Sequence, residues 1–159
     1  MRDYTVIRDT REKKGQGWQF RESTEGDKKP YCLGTESIKL DTGDYTLEYF
    51  EDILCIERKG SVSEFAGNTV QERFERELER MRGFKYAYVL LEFTMEEFVN
   101  FPKGQRLPRN VKRKIMRGPF ILKRFLEFTM KYPNIHFLFC GDKGRQICQS
   151  IFKRVIEDE

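Results

Sequence analysis

Two short, almost uninterrupted apolar runs limit most sharply what this chain can fold into: "YAYVLLEF" at 86–93 and "IHFLFCG" at 135–141. A strand with one wet face alternates apolar and polar residues, whereas a run without alternation is covered on both faces, as in a sheet sandwiched between helices. Helical periodicity surrounds both runs. Thr69 and Glu72 stand at capping-box spacing, and Val70, Phe74, Leu78 and Met81 then recur at helical intervals until Gly83. Between the runs, "FILKRFLEFTMKY" brings Ile121, Leu122, Phe125 and Phe128 to one side. A last helix over about 143–157 repeats the pattern with Ile147, Ile151 and Val155.

Upstream the signal is alternation instead. "YTVIRD" (4–9) predicts a first strand and "REKKGQGWQF" a turn around Gly15 and Gly17. "IKLDTGDYTLEY" and "DILCIERK" predict two strands of a meander joined at Glu51-Asp52. Strands first, then helix, strand, helix, strand and helix, predict an α/β domain with a central mixed sheet and helices on both faces. The 159 residues are expected to form a single domain over 1–159.

Composition excludes several classes. Charged residues at 35% and aromatics at 14% describe a globular domain with a charged surface rather than a disordered chain. Cys32, Cys55, Cys140 and Cys148 show no C-x-x-C spacing and His136 is the single histidine, so a zinc site has little to be built from. Reduced, buried thiols are expected. No apolar run approaches the roughly 18 residues that span a bilayer, and "MRDYTVIRDTREKK" lacks a signal-peptide core. The expected location is intracellular, in cytoplasm, nucleoid or nucleus, without a membrane partner.

The chemistry gathers in the acidic meander. Side chains at i and i+2 share a face of a strand, so Ile53, Cys55, Glu57 and Lys59 point one way and Leu54, Ile56 and Arg58 the other. Hairpin pairing brings Asp44, which follows Gly43, alongside Glu57. An Asp followed on the next strand by Glu-x-Lys is the layout of a magnesium-dependent phosphodiesterase centre. Magnesium takes one or two carboxylates plus waters and substrate phosphate, leaving Lys59 to orient the water and stabilise developing charge. Asp9, Arg11 and Glu12 close the first strand; the acids there are expected to complete the metal site or bind a second ion, and Arg11 to contact the scissile phosphate.

A basic segment lies between Glu97 and Glu127, where no acid interrupts Lys103, Arg106, Arg109, Lys112, Arg113, Lys114, Arg117, Lys123 and Arg124. Next to a phosphodiesterase centre such a run is expected to bind nucleic-acid backbone without reading sequence. His136 reads as a core or edge histidine, and Trp18 and Phe20 as a local core.

Taken together, these motifs resemble the nuclease domain of the XPF family of structure-specific DNA endonucleases. Its Gly-Asp, gap, Glu-Arg-Lys-x-x-x-Asp signature stands here as Gly43-Asp44 and Glu57-Arg58-Lys59. "VIRDTREK" matches the first-strand motif through Asp9, Arg11 and Glu12, and "RFERELERM", "AYVLLEF" and "YPNIHFLFC" resemble its helix and core strands. The final Asp of the signature falls on Ser63, which leaves two alternatives: Glu64 substitutes through a one-residue bulge, or the site lacks that carboxylate.

The resemblance implies a restriction-endonuclease-like (PD-(D/E)XK) fold and a Mg²⁺- or Mn²⁺-dependent endonuclease acting on DNA near flaps, forks or branches, in repair or recombination. Asp9, Asp44 and Glu57 would hold metal, Glu12 would support them, Lys59 would position water, and Arg11 and Arg58 would contact phosphate, with Arg58 instead a structural partner on strand alternation. Arg106, Arg109, Lys112, Arg113, Lys114 and Arg117 are the expected DNA contacts. The tandem helix-hairpin-helix domain that such proteins carry has no counterpart in these residues, so further grip on DNA is expected from a homodimer or a partner protein. The competing expectation is an inactive XPF-like module that binds DNA and positions a nuclease partner.

Overall fold

The computed structural model describes residues 2–12, 15–104 and 117–159. They form strands β1 (Tyr4–Asp9), β2 (Cys32–Ile38), β3 (Tyr45–Leu47), β4 (Leu54–Lys59), β5 (Tyr86–Leu91) and β6 (Ile135–Phe139). The helices are α1 (Val62–Asn68), α2 (Glu72–Met81), α3 (Met95–Val99), α4 (Gly118–Lys131) and α5 (Gly144–Asp158). The strands make one sheet in the order β2-β1-β3-β4-β5-β6. Only β3 runs against its neighbours; the other five are mutually parallel, so their carboxyl ends share one edge of the sheet. In open α/β sheets that edge is where ligands bind.

Both faces are covered, as the unbroken apolar strands require. On one face Cys55, Ala87, Val89 and Leu91 pack under α1, α2, α3 and α4, whose Phe65, Phe74, Phe98, Phe125 and Phe128 form a continuous aromatic cluster. Phe65 is fully buried at its centre, so Phe65→Ala would cost about 3–5 kcal/mol. On the other face Leu54, Ile56, Tyr45 and Leu90 meet Cys148, Ile151, Phe152 and Val155 of α5, together with Trp18 and Phe20. Among the described residues no helix is long and apolar enough to cross a membrane.

Three local expectations are corrected. The first meander strand shrinks to β3, because the "CLGTESI" segment before it is a separate strand, β2, parallel to β1. β2 is an edge strand with Glu36, Ser37 and Ile38 exposed, so it carries no apolar alternation to read. Thr69 and Glu72 form no capping box: Thr69 closes α1, its Oγ1 donating to the Ala66 carbonyl at 2.7 Å, and α2 starts after Gln71 with Val70 exposed. The working caps lie at Ser61, whose Oγ accepts the Glu64 N–H, and at Thr94, paired reciprocally with Glu97. Ile53 precedes β4, and Leu122 and Ile147 are only partly buried; the other expected core positions of α4 and α5 lie inside.

Candidate active site

Gly43 explains why the chain needs Gly-Asp here. Its φ is +80°, and a Cβ would lie 2.6 Å from Cys55 Sγ and 3.1 Å from the Ile56 carbonyl oxygen. That close approach docks Asp44 on β4: its N–H donates to the Ile56 carbonyl at 2.8 Å and its Oδ2 accepts the Arg58 N–H at 2.8 Å. Asp44 is also tied to β1, whose Asp9 N–H donates to the Asp44 carbonyl at 2.8 Å. Asp9, Asp44 and Glu57 therefore come from three adjacent strands and open on one cavity of about 800 Å³.

Glu57 and Lys59 are both buried, and Lys59 Nζ donates to Glu57 Oε1 at 2.6 Å. Burial pushes the Glu57 carboxyl well up, Asp44 pushes it further, and Lys59 opposes the rise. Asp44 is pushed up to about 7, chiefly by burial and also by Glu12, against the Arg58 N–H and Lys59. Burial would pull the Lys59 ammonium down, but Glu57, Glu77 and Asp44 more than reverse this and hold it charged. Carboxylates thus outnumber the cation at this spot.

Arg58 occupies the opposite face of β4, as alternation predicts. It pairs with Glu92 at 2.6 Å and Glu12 at 3.4 Å, and its guanidinium lies 5.6 Å from the Trp18 ring centre. Trp18 Nε1 donates to Glu92 at 2.7 Å and its backbone N–H to the Tyr45 hydroxyl at 2.6 Å. Burial raises the Glu12 carboxyl, with Arg58 and Arg8 opposing. Arg11 sits at the rim, half exposed, held by Asp9 Oδ2 at 2.6 Å and by the Leu40 carbonyl. The other Asp9 oxygen accepts the Leu40 N–H at 3.0 Å, so much of the capacity of this carboxylate serves the fold.

The sequence profile of the ERCC4 domain matches residues 8–146, most of the chain and all of these acids. This chain belongs to the ERCC4 domain family. No curated protein matches the sequence significantly. Among solved structures, the chain is similar to XPF from Aeropyrum pernix, with a TM-score of 0.60 and 16% identity over 96% of this chain and 65% of that one. It is also similar to XPF from Aeropyrum pernix in complex with DNA, with a TM-score of 0.56 and 17% identity over 98% of this chain and 66% of that one. The chain thus spans just under two thirds of the length of those structures. The fold is the restriction-endonuclease-like fold of the XPF nuclease domain, and the family is one of structure-specific nucleases.

Within this ERCC4 domain, the stretch after Lys59 departs from the family signature in an instructive way. Ser63 is exposed on α1, and no bulge swings Glu64 into its place; Glu64 sits one residue along, bordering the cavity, with Oε2 accepting the Gly60 N–H at 2.8 Å. A different acid reaches the centre. Glu77 of α2 lines the same cavity and acts electrostatically on Asp44, Glu57 and Lys59. Arg73 and Arg80 flank it at helical spacing and border the cavity too, Arg80 Nε donating to Thr42 Oγ1 at 3.2 Å. In "ERFERELERM" these three read as a solvated charged face. Apart from the resemblance of this helix to the family's, nothing in the sequence sets them apart from the other charged residues of α2.

Of the basic segment, Arg106, Arg109, Lys112, Arg113 and Lys114 lie outside the described residues. Arg117 is exposed at the start of α4. Arg124 turns inward, with Nε donating to the Thr69 carbonyl at 3.0 Å and a further ion pair to Glu127, while Lys123 lies 4.0 Å from Glu127. His136 is exposed on edge strand β6 against Tyr88, two strands away from β4.

Proposed function

We propose that this chain is a metal-dependent endodeoxyribonuclease that hydrolyses phosphodiester bonds near flap, fork or branch junctions. The observation that carries the reading is the convergence of Asp9, Asp44, Glu57 and Glu77 on one open cavity, with Lys59 bonded to Glu57 behind it. Burial disfavours the charged forms of Asp44 and Glu57, and Asp44 adds to this at Glu57, so a bound cation would relieve both. Among the described residues no three His, Cys, Asp or Glu side chains form a ready-made cage. An all-oxygen set of one or two carboxylates with room for water is nonetheless what Mg²⁺ or Mn²⁺ accepts.

Asp44 and Glu57 would hold the ion, with Asp9 and Glu12 beside them. When bound, such an ion supplies a hydroxide at neutral pH and offsets charge on the attacked phosphate. Lys59, kept charged and fixed by its bond to Glu57, orients the attacking water and stabilises the phosphorane-like charge. The Arg58 N–H fixes the rotamer of Asp44, while Arg11 at the rim is placed to take a phosphate oxygen. DNA as substrate is supported by family membership and by the DNA complex of the structurally similar Aeropyrum pernix XPF. The basic run over 103–117 supplies further backbone contacts, and a second copy or a partner protein supplies additional grip.

One observation favours a non-cleaving reading. Ser63 faces solvent where the signature has its last acid, and Glu64 is engaged with the Gly60 N–H, so a DNA-binding module that positions a nuclease partner would tolerate this site. The test is incubation with labelled flap, fork and linear DNA under Mg²⁺, Mn²⁺ or EDTA, beside Asp44→Ala and Lys59→Ala. Metal-dependent cutting that is lost in both variants supports the nuclease. Cutting that survives both overturns the assigned site, and structure-selective binding with no cutting under either metal selects the non-cleaving reading.

A further inference from the structure

We propose that the cleft between α5 and loop 20–27 is a second backbone-phosphate site, which holds the nucleic-acid strand a few nucleotides from the Asp44 and Glu57 cavity. The inference rests on the nucleic-acid reading above. The cleft has a volume of about 370 Å³ and is lined by Arg21, Arg145 and Lys153, with Ser23 and Gln149. Arg145, Gln149 and Lys153 recur every four residues, so they share one face of α5 and span about 12 Å along it. Arg21 faces them from the loop.

Two of these cations are oriented by backbone carbonyls rather than by direct ion pairs. Arg145 Nη1 donates to the Gln19 carbonyl at 3.4 Å and Lys153 Nζ to the Lys28 carbonyl at 3.0 Å, contacts that leave most of their donors available. Glu22 and Asp27 also line the cleft, yet no ion pair joins either acid to these cations among the described residues. Asp27 Oδ2 instead accepts the Thr24 N–H at 2.7 Å and the Thr24 hydroxyl at 3.2 Å. The neighbouring Arg154, on the solvent side of the same helix, pairs with Glu157 at 2.5 Å. Arg154 therefore makes a direct ion pair, whereas Arg21 and Lys153 act on Asp27 only at longer range.

A rigid strap joins the two cavities. Gln16 lines the first and Phe20 the second, and the four intervening steps span at most about 14 Å, close to four base steps of 3.4 Å. Trp18 pins the strap midway through Tyr45 and Glu92, and it packs so tightly on α5 that a Cβ at Gly144 would lie 2.5 Å from its ring. The separation between the sites is thereby fixed by the fold. Phe20 is buried and offers no exposed ring for a base, so the cleft recognises phosphodiester groups rather than sequence.

The test compares the 159-residue chain with Arg145→Gln/Lys153→Gln, both substitutions helix-compatible, by anisotropy of labelled flap and duplex DNA in Ca²⁺ over about 50–200 mM salt. The slope of log K against log salt should fall by about 2, one unit per lost phosphate contact, with affinity reduced roughly five- to tenfold. Single-turnover cleavage at saturating protein should stay unchanged, and Arg154→Gln should bind as the unsubstituted chain does. An unchanged slope in the double variant, with cleavage still abolished by Asp44→Ala, overturns the second site alone. No DNA binding by the unsubstituted chain overturns this site and the nuclease reading together. A loss of single-turnover rate without loss of affinity overturns it as well. In an NMR titration, inorganic phosphate shifting the Arg145 and Lys153 signals as tightly as a short oligonucleotide identifies free phosphate as the ligand and overturns the backbone assignment.

Discussion

Glu57-Arg58-Lys59 is one run of three charges, and the sheet divides it into two regions with opposite electrostatics. On the α2 side, Glu57 and Lys59 meet Asp44 and Glu77, three acids around one buried cation, with Arg73 and Arg80 bordering the cavity. On the α5 side, Arg58 lies between Glu12 and Glu92 over Trp18, braced by two carboxylates and a ring. Strand alternation alone separates the two. The two sides depend on each other: the Arg58 brace fixes the end of β4, and that fixed end holds the buried acids where a cation would relieve them.

Substitutions on the two sides of β4 should separate them. The largest effect is expected at the uncompensated cluster, where Glu57→Gln or Lys59→Met should lower cleavage by about 10²–10³-fold in single-turnover assays. Lys59→Met should also cost about 3–5 kcal/mol in urea denaturation, since it strands a buried carboxylate. Arg58→Met should come next, at about 2–3 kcal/mol of stability, with cleavage below the unfolding transition kept within roughly tenfold. Equal losses of cleavage for Arg58→Met and Lys59→Met in folded protein would erase the proposed division.

Asp44→Asn tests the surplus charge through pH. The folded-state value of about 7 lies above the unfolded 3.8, so the folded protein binds the extra proton. The stability this provides is complete below about pH 4 and lost as pH rises through 7. Asn keeps an oxygen for the Arg58 N–H, so the metal-free variant should be more stable than the parent at pH 8, on the order of 2 kcal/mol, with the gap closing near pH 4. A gap independent of pH would remove Asp44 as its source. The smallest effect is expected from Trp18→Phe, which deletes the bond to Glu92 and should cost about 1 kcal/mol in thermal unfolding.

What could be read from the sequence follows burial. β1, β5, β6 and the inward positions of α4 and α5 announce themselves because their apolar residues line a core. β2 does not, since an edge strand with Gly34 and a wet face carries neither alternation nor an apolar run. α1 and α3 escape notice because helices of 7 and 5 residues give less than two turns of periodicity, although Ser61-Glu64 and Thr94-Glu97 mark their starts. The directions of Asp9, Asp44, Glu57 and Arg58 are legible because strand period and hairpin pairing fix them, whereas Glu12 lies past the end of β1. Glu77 is not, because whether a charged residue of α2 faces water or the cavity depends on how the helix packs across the sheet, which a single helix's own residues leave undetermined.

The β3–β4 hairpin reverses at 48–53, at the opposite end of the sheet from Asp44 and Glu57. All four native cysteines are buried, and Glu51 is exposed in that reversal. A thiol introduced by Glu51→Cys would therefore be the one readily alkylated group, offering a point for a fluorophore or surface tether from which the acid-lined cavity faces away. The same hairpin that sets the spacing of two carboxylates thus presents, at its other end, a place to watch or immobilise the molecule without touching its chemistry.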